Sequence, residues 1–163
     1  MKKLILILML LLIVGCSTEV TQEDNMKVKV ETNKGDFVIE LYQDTPISSA
    51  NFEKLVKEGF YDGLTFHRYE PGFVIQGGDP KGDGTGGSDD TINLELVGKS
   101  HSRGTVGMAR SNAPNSASSQ FFVNLADNDF LDSGYAVFGN VTEGMDVVDS
   151  LRAGDVMEKV TLM

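Results

Sequence analysis

The chain has 163 residues, one cysteine, no tryptophan and a formal net charge of −10. That length fits one domain with a short appendage, and one cysteine excludes an internal disulfide or a multi-thiolate zinc site. The acidic balance argues against a nucleic-acid binder, which needs a basic face for the phosphates, and 18 glycines against 4 prolines point to many tight turns and a β-rich fold.

The first fifteen residues stand apart from the fold. Lys2 and Lys3 precede an unbroken apolar run, Leu4 to Val14. A membrane-spanning helix needs about 20 apolar residues, so this run is too short, and its charge layout is that of a secretory signal. Ile13-Val14-Gly15-Cys16 resembles the lipobox of bacterial lipoproteins. The resemblance implies a signal peptide over residues 1–15, acylation of the Cys16 thiol and a mature chain that starts there. The alternative is an ordinary signal peptide cut nearby, with Cys16 lost or free. Loss of Lys2 and Lys3 would take the net charge from −10 to −12. The rest of the segment 16–26, STEVTQEDNM after the cysteine, is polar and aperiodic and reads as a flexible tether.

The domain proper runs over 27–163. Val28 and Val30 alternate with polar residues, Asn33-Lys34-Gly35-Asp36 signals a turn, and Phe37, Ile39 and Leu41 alternate again, which predicts a β-hairpin with one buried face. Thr45 as N-cap and Pro46 at the first helical position open a helix over about 46–58. Phe52, Leu55 and Val56 have its spacing, and Gly59 ends it. Short apolar runs separated by turn residues then suggest strands around Phe73–Ile75, Val106–Ala109, Phe121–Val123 and Ala136–Phe138. A second helix is predicted over about 143–152, capped by Thr142, with Val156 to Leu162 as the last strand. Many strands, two helices and one core suggest a closed barrel with helices over its ends.

Three motifs are set aside. Residues 82–87, Gly-Asp-Gly-Thr-Gly-Gly, match G-x-G-x-x-G literally, but no helix follows and the nearby acids would repel a pyrophosphate. Asp79, Asp83, Asp89 and Asp90 lack EF-hand spacing and read as solvated loop carboxylates. No G-x-S-x-G accompanies the two histidines, so a serine triad is not indicated.

Three blocks carry more: FHRYEPGFVIQGGD at 66–79, GMARSNAPNSASSQFFV at 107–123 and FLDSGYAVFGNV at 130–141. Together they resemble the cyclophilin family of peptidyl-prolyl cis-trans isomerases, in its bacterial branch, over essentially the whole domain. The resemblance implies a mainly β fold, a closed eight-stranded antiparallel barrel capped by two α-helices. It also implies an isomerase that works without cofactor or metal. Arg68 is implied as the catalytic donor to the twisted prolyl amide. Phe73, Phe122 and Leu131 match the pocket for the proline ring. Gln76 matches the group that bonds substrate backbone, and Gln120 a polar support for the arginine. Ala109 and the backbone of Arg110 match the strip along which the peptide lies, with the Arg110 side chain expected to project to solvent. His67 and His101 are read as structural, the latter as a loop residue; alternation places His67 opposite Arg68.

Three departures from the family pattern stand out. Val74 replaces a frequent Met and should make the pocket shallower. Phe130 stands where many members carry Trp, and Tyr135 where many eukaryotic members carry His. Phe130 lacks the indole N–H donor, so weak cyclosporin binding is expected. The resulting expectation is a monomeric, lipid-anchored bacterial isomerase outside the cytoplasm, acting on proline-containing unfolded or exported polypeptides. The rival readings are a non-catalytic proline-peptide chaperone or scaffold on the same fold and, from another class, a solute-binding lipoprotein.

Overall fold

The computed structural model describes residues 25–163. The expected signal peptide, Cys16 and residues 16–24 of the expected tether lie outside the described residues. A hairpin comes first, β1 (Lys27–Thr32) and β2 (Gly35–Leu41), followed by helix α1 (Pro46–Lys57). Strands β3 (Phe66–Glu70), β4 (Val74–Gly77), β5 (Thr105–Met108) and β6 (Phe121–Asn124) follow, then a 3-10 turn at Asp129–Leu131, β7 (Val137–Glu143), helix α2 (Met145–Ser150) and β8 (Met157–Leu162). All eight strands form one antiparallel sheet in the order β3-β4-β6-β5-β7-β2-β1-β8.

Alternation sets the inner face. Val28 and Val30 of β1 and Phe37, Ile39 and Leu41 of β2 are buried in the central core with Phe66, Ile75, Val106 and Phe121. Helix α1 contributes Phe52, whose ring lies 4.9 Å from Tyr61, 5.3 Å from Phe121 and 5.2 Å from Phe138. Such aromatic pairs add about 0.5–1.5 kcal/mol each beyond area burial, so one helical residue locks α1 onto β6 and β7.

The sheet curls but does not close into a continuous barrel, which corrects the expected closure. Its edge strands β3 and β8 share no ladder; they meet at one isolated bridge, Thr65 with Val156. Backbone bonds just outside the strands complete the contact, Phe66 N–H to Asp155 O at 2.8 Å and Met157 N–H to Leu64 O at 2.9 Å. The physical cause is local. The β1–β8 register shifts at a bulge between Glu31 and Thr32, and Gly154 at φ +96° turns the chain into β8. β8 therefore meets the β3 edge through one bridge flanked by backbone bonds, with no ladder.

Both helix starts also differ from expectation. Thr45 makes no side-chain cap; the Glu95 carboxylate accepts from Ile47 N–H at 3.1 Å and Ser48 N–H at 2.9 Å. Thr142 does not cap α2, which begins after Gly144 at φ +77°. A Cβ at Gly144 would run into Asp36 O, so the close approach of α2 to β2 requires glycine there.

Candidate active site

Four adjacent strands place one row of residues across the outer face of the sheet. Arg68 pairs with Gln76, Gln76 with Phe122, and Phe122 with Gly107. Directly paired residues project to the same side, so the row reads cation, amide, aromatic ring, gap. The gap is required: a Cβ on Gly107 would sit 2.5 Å from Phe122 Cζ.

The position of Arg68 depends on a β-bulge. The β3–β4 register shifts between Phe66 and Arg68, leaving His67 as the extra residue. Without it, strict alternation would put Arg68 on the side of the fully buried Phe66. The bulge re-aims it outward. The guanidinium then lies 5.6 Å from the Phe73 ring centroid, donates to Gln76 Oε1 at 3.3 Å and sits 3.6 Å from Glu70. That last pair is solvent-exposed and weak, so it leaves the cation available.

A cleft of about 150 Å³ opens over this row. Arg68, Phe73, Val74, Gln76, Ala109, Arg110, Phe122, Leu131 and Tyr135 line it. Every residue assigned to the site from sequence except Gln120 and Phe130 lines it. Gln120 lines an adjoining depression that shares Gln76, Ala109 and Arg110 with the cleft. Phe130 stands at the rim, 73% exposed, stacked on Phe73 at 5.7 Å. The Arg110 side chain does not project to solvent as expected. It folds back 4.8 Å over the Tyr135 ring and donates to Gly134 O at 2.7 Å and Ser111 O at 2.8 Å. The carbonyls of this turn and the aromatic face compete with water for the guanidinium.

Beneath the cleft lies a buried polar network. His101, read as a loop residue, is fully buried with its ring stacked 5.6 Å from Phe122. Its Nε2 lies 3.1 Å from Tyr135 O and its Nδ1 3.2 Å from Asn124 Nδ2. A carbonyl only accepts and an amide NH2 only donates, so Nε2 carries the proton and the ring is neutral. Burial pushes its pKa down, opposed by the bond to Tyr135 O and the Asp132 charge. Asn128 donates to Asn124 Oδ1 at 2.8 Å and to Phe73 O at 3.1 Å. The network joins the turn bearing Phe130, Leu131 and Tyr135 to β4 and β6. His101, Asn124 and Gly107 act through Phe122, a role that neither composition nor spacing marks.

The loop carboxylates also divide differently. Asp79 is buried, 1% exposed, and accepts backbone N–H groups rather than facing water. His67 packs beside Gly84, and neither ring nitrogen has a hydrogen-bond partner. Burial holds its pKa below the usual value, against the pull of Asp79.

The family model for cyclophilin type peptidyl-prolyl cis-trans isomerases matches residues 27–162. The chain belongs to the cyclophilin family. This cyclophilin is 48% identical over 137 residues to a peptidyl-prolyl cis-trans isomerase of Acinetobacter baylyi, covering 78% of this chain and 72% of that one. It is 47% identical over 131 residues to peptidyl-prolyl cis-trans isomerase B of Bacillus subtilis, covering 78% and 90% of the two chains. A Cryptosporidium parvum cyclophilin solved in the presence of the dipeptide Ala-Pro superposes with a TM-score of 0.77 at 28% identity, over 84% of this chain and 98% of that one. The cyclophilin is accordingly an enzyme that interconverts the cis and trans forms of Xaa-Pro bonds.

Proposed function

We propose that Arg68 is the catalytic residue of this isomerase and that the proline ring rests on Phe73, Phe122 and Leu131. Rotation about an Xaa-Pro bond must lose amide conjugation, with a barrier of about 18–20 kcal/mol. The two isomers differ by only about 0.5–1 kcal/mol, so no covalent bond to the enzyme has to form. As the amide twists, its nitrogen regains a lone pair. A guanidinium N–H aimed at that lone pair binds the twisted state better than either planar isomer, which is what lowers the barrier. Gln76 bonds the substrate backbone, and Ala109 with the backbone of Arg110 forms the strip on which the peptide lies. Tyr135, Val74 and Phe130 shape the rim.

One observation carries this reading: a single cleft sets a cation against an apolar aromatic lining, in the cross-strand row Arg68, Gln76, Phe122. The Ala-Pro dipeptide named for the Cryptosporidium relative supports the same ligand class here. Exchange NMR on an Ala-Pro-containing tetrapeptide tests it. Arg68→Ala should slow catalysed exchange by roughly 100-fold or more. An Arg68→Ala variant as fast as wild type would remove the assigned role.

The substrates in this reading are exported polypeptides, met outside the cytoplasm by a monomer anchored through acylated Cys16. One acyl chain binds a membrane only marginally, so the anchor requires more than one, and the acidic surface keeps the domain off an anionic bilayer. Cyclosporin binding is weak because Phe130 offers no N–H. Mass spectrometry of the native N-terminus should find acylated Cys16; an unmodified N-terminus elsewhere would rule the anchor out.

A further inference from the structure

The glycine-rich segment 82–87 and the buried Asp79 take no part in the chemistry above, yet they sit beside it. We propose that Asp79 is a positioning residue for Arg68, acting through the 79–86 loop and then through the side-chain amides of Gln120 and Gln76. The proposal rests on Arg68 being the catalytic group.

The loop is wound around one carboxylate. Asp79 accepts from Lys81 N–H at 2.8 Å, Asp83 N–H at 3.2 Å and Gly84 N–H at 2.6 Å. Burial alone would favour the neutral acid, but these N–H groups outweigh it and hold the carboxyl below the usual range. Successive N–H groups turned onto one anion make a rigid concave turn. The glycines are needed for it. Gly84 has φ +88°, and a Cβ on Gly86 would collide with Asp79 Oδ1.

With the N–H groups turned inward, two of the loop's carbonyls turn outward onto Gln120. Gln120 Nε2 donates to Gly84 O at 3.1 Å and Gly86 O at 2.7 Å. Gln76 Nε2 donates to Gln120 Oε1 at 2.8 Å, and Arg68 Nη1 donates to Gln76 Oε1 at 3.3 Å. The direction of this chain is fixed at both ends by groups that cannot reverse. Carbonyls only accept, so Gln120 must present its NH2 to the loop and its oxygen to Gln76. A guanidinium only donates, so Gln76 must present its oxygen to Arg68. A flipped Gln120 would set its oxygen against two carbonyl oxygens. Asp79 thus holds the loop shape that selects one amide orientation, and that orientation delivers an acceptor to the guanidinium.

The test is a double-mutant cycle in the full chain, with exchange NMR on an Ala-Pro-containing tetrapeptide and the Arg68 Nε–Hε signal as readouts. Asp79→Asn should slow catalysed exchange by roughly three- to tenfold and shift the Arg68 signal, with a smaller loss of peptide affinity through Gln76. Gln120→Ala should act similarly. The double variant should be no slower than the slower single one, because both act through one route. Gly86→Ala displaces the same carboxylate without removing its charge and should give the same pattern, which keeps the test valid where Asp79→Asn fails to fold. Losses that multiply in the double variant, or an Asp79→Asn enzyme with unchanged rate and Arg68 signal, would overturn the proposal. Arg68→Ala measured alongside separates the two claims. If it is as fast as wild type, the catalytic reading fails; if it is slow while Asp79→Asn is fast, only the role of Asp79 fails.

Discussion

Arg68 reaches the cleft because its strand contains one residue too many. The block around it was legible in the sequence, but strict alternation would have sent its side chain inward. The bulge at His67 depends on pairing with β4, which no local pattern encodes. His101 was hidden for a related reason: it lies in a stretch without periodicity and is buried only because the turn after β6 folds over it. Two predictions belong to this scale. Gly107→Ala places a methyl 2.5 Å from Phe122 Cζ and 3.0 Å from His101 Cε1. Over-packing of this kind costs about 1–3 kcal/mol, so urea denaturation should show that loss, and exchange NMR a weaker peptide affinity as Phe122 is pushed into the cleft. The second concerns pH. Burial lowers the pKa of both His67 and His101. In the unfolded chain each takes up a proton near the ordinary value of about 6.5, while the folded chain resists it. The unfolded state therefore binds more protons below that pH, and stability falls as pH drops through it, until the lowered native values are passed. Urea midpoints should be lower at pH 5 than at pH 7.5, and His101→Gln should flatten the dependence.

Helix α1 shows what a local pattern can and cannot specify. Pro46, the spacing of Phe52, Leu55 and Val56, and Gly59 placed the helix within a residue of its observed end. Its cap comes from Glu95, and a partner so distant in sequence has no local signature. The Glu95 carboxylate satisfies two N–H groups at the positive end of the helix. Glu95→Ala should therefore cost about 1 kcal/mol, visible in thermal melts, and should raise amide hydrogen exchange at Ile47 and Ser48 first. Helix α2 gives the complementary case. Its apolar spacing was readable, but its start follows from the backbone meeting of Gly144 and Asp36, which only the packed structure creates.

At the scale of the whole molecule, the strand count and antiparallel order follow from the family pattern, while closure does not. The two edges of the curled sheet meet only at an isolated bridge, and one buried carboxylate ties that seam together. Asp155 accepts from Asn33 Nδ2 at 2.8 Å and Arg152 N–H at 2.7 Å, with the Lys34 ammonium 3.9 Å away. Its own carbonyl receives Phe66 N–H from the β3 edge. One residue thus ties the β1–β2 turn, the entry to β8 and the far edge of the sheet together. Burial works against its charge, but the Asn33 and Arg152 bonds and the two nearby cations hold its pKa below the usual value. The sign follows: the carboxylate stabilises the fold above the ordinary aspartate range, and that contribution is lost as pH falls through its lowered native pKa. Asp155→Ala removes the acceptor shared by the Asn33 amide and the Arg152 N–H, a loss of about 1 kcal/mol. Amide exchange should then rise first at Phe66 and Met157, on either side of the seam, while Phe122 and Val123 of the central strands stay protected. Uniform acceleration across the sheet would mean that the seam has no independent stability and that the edges open only with global unfolding.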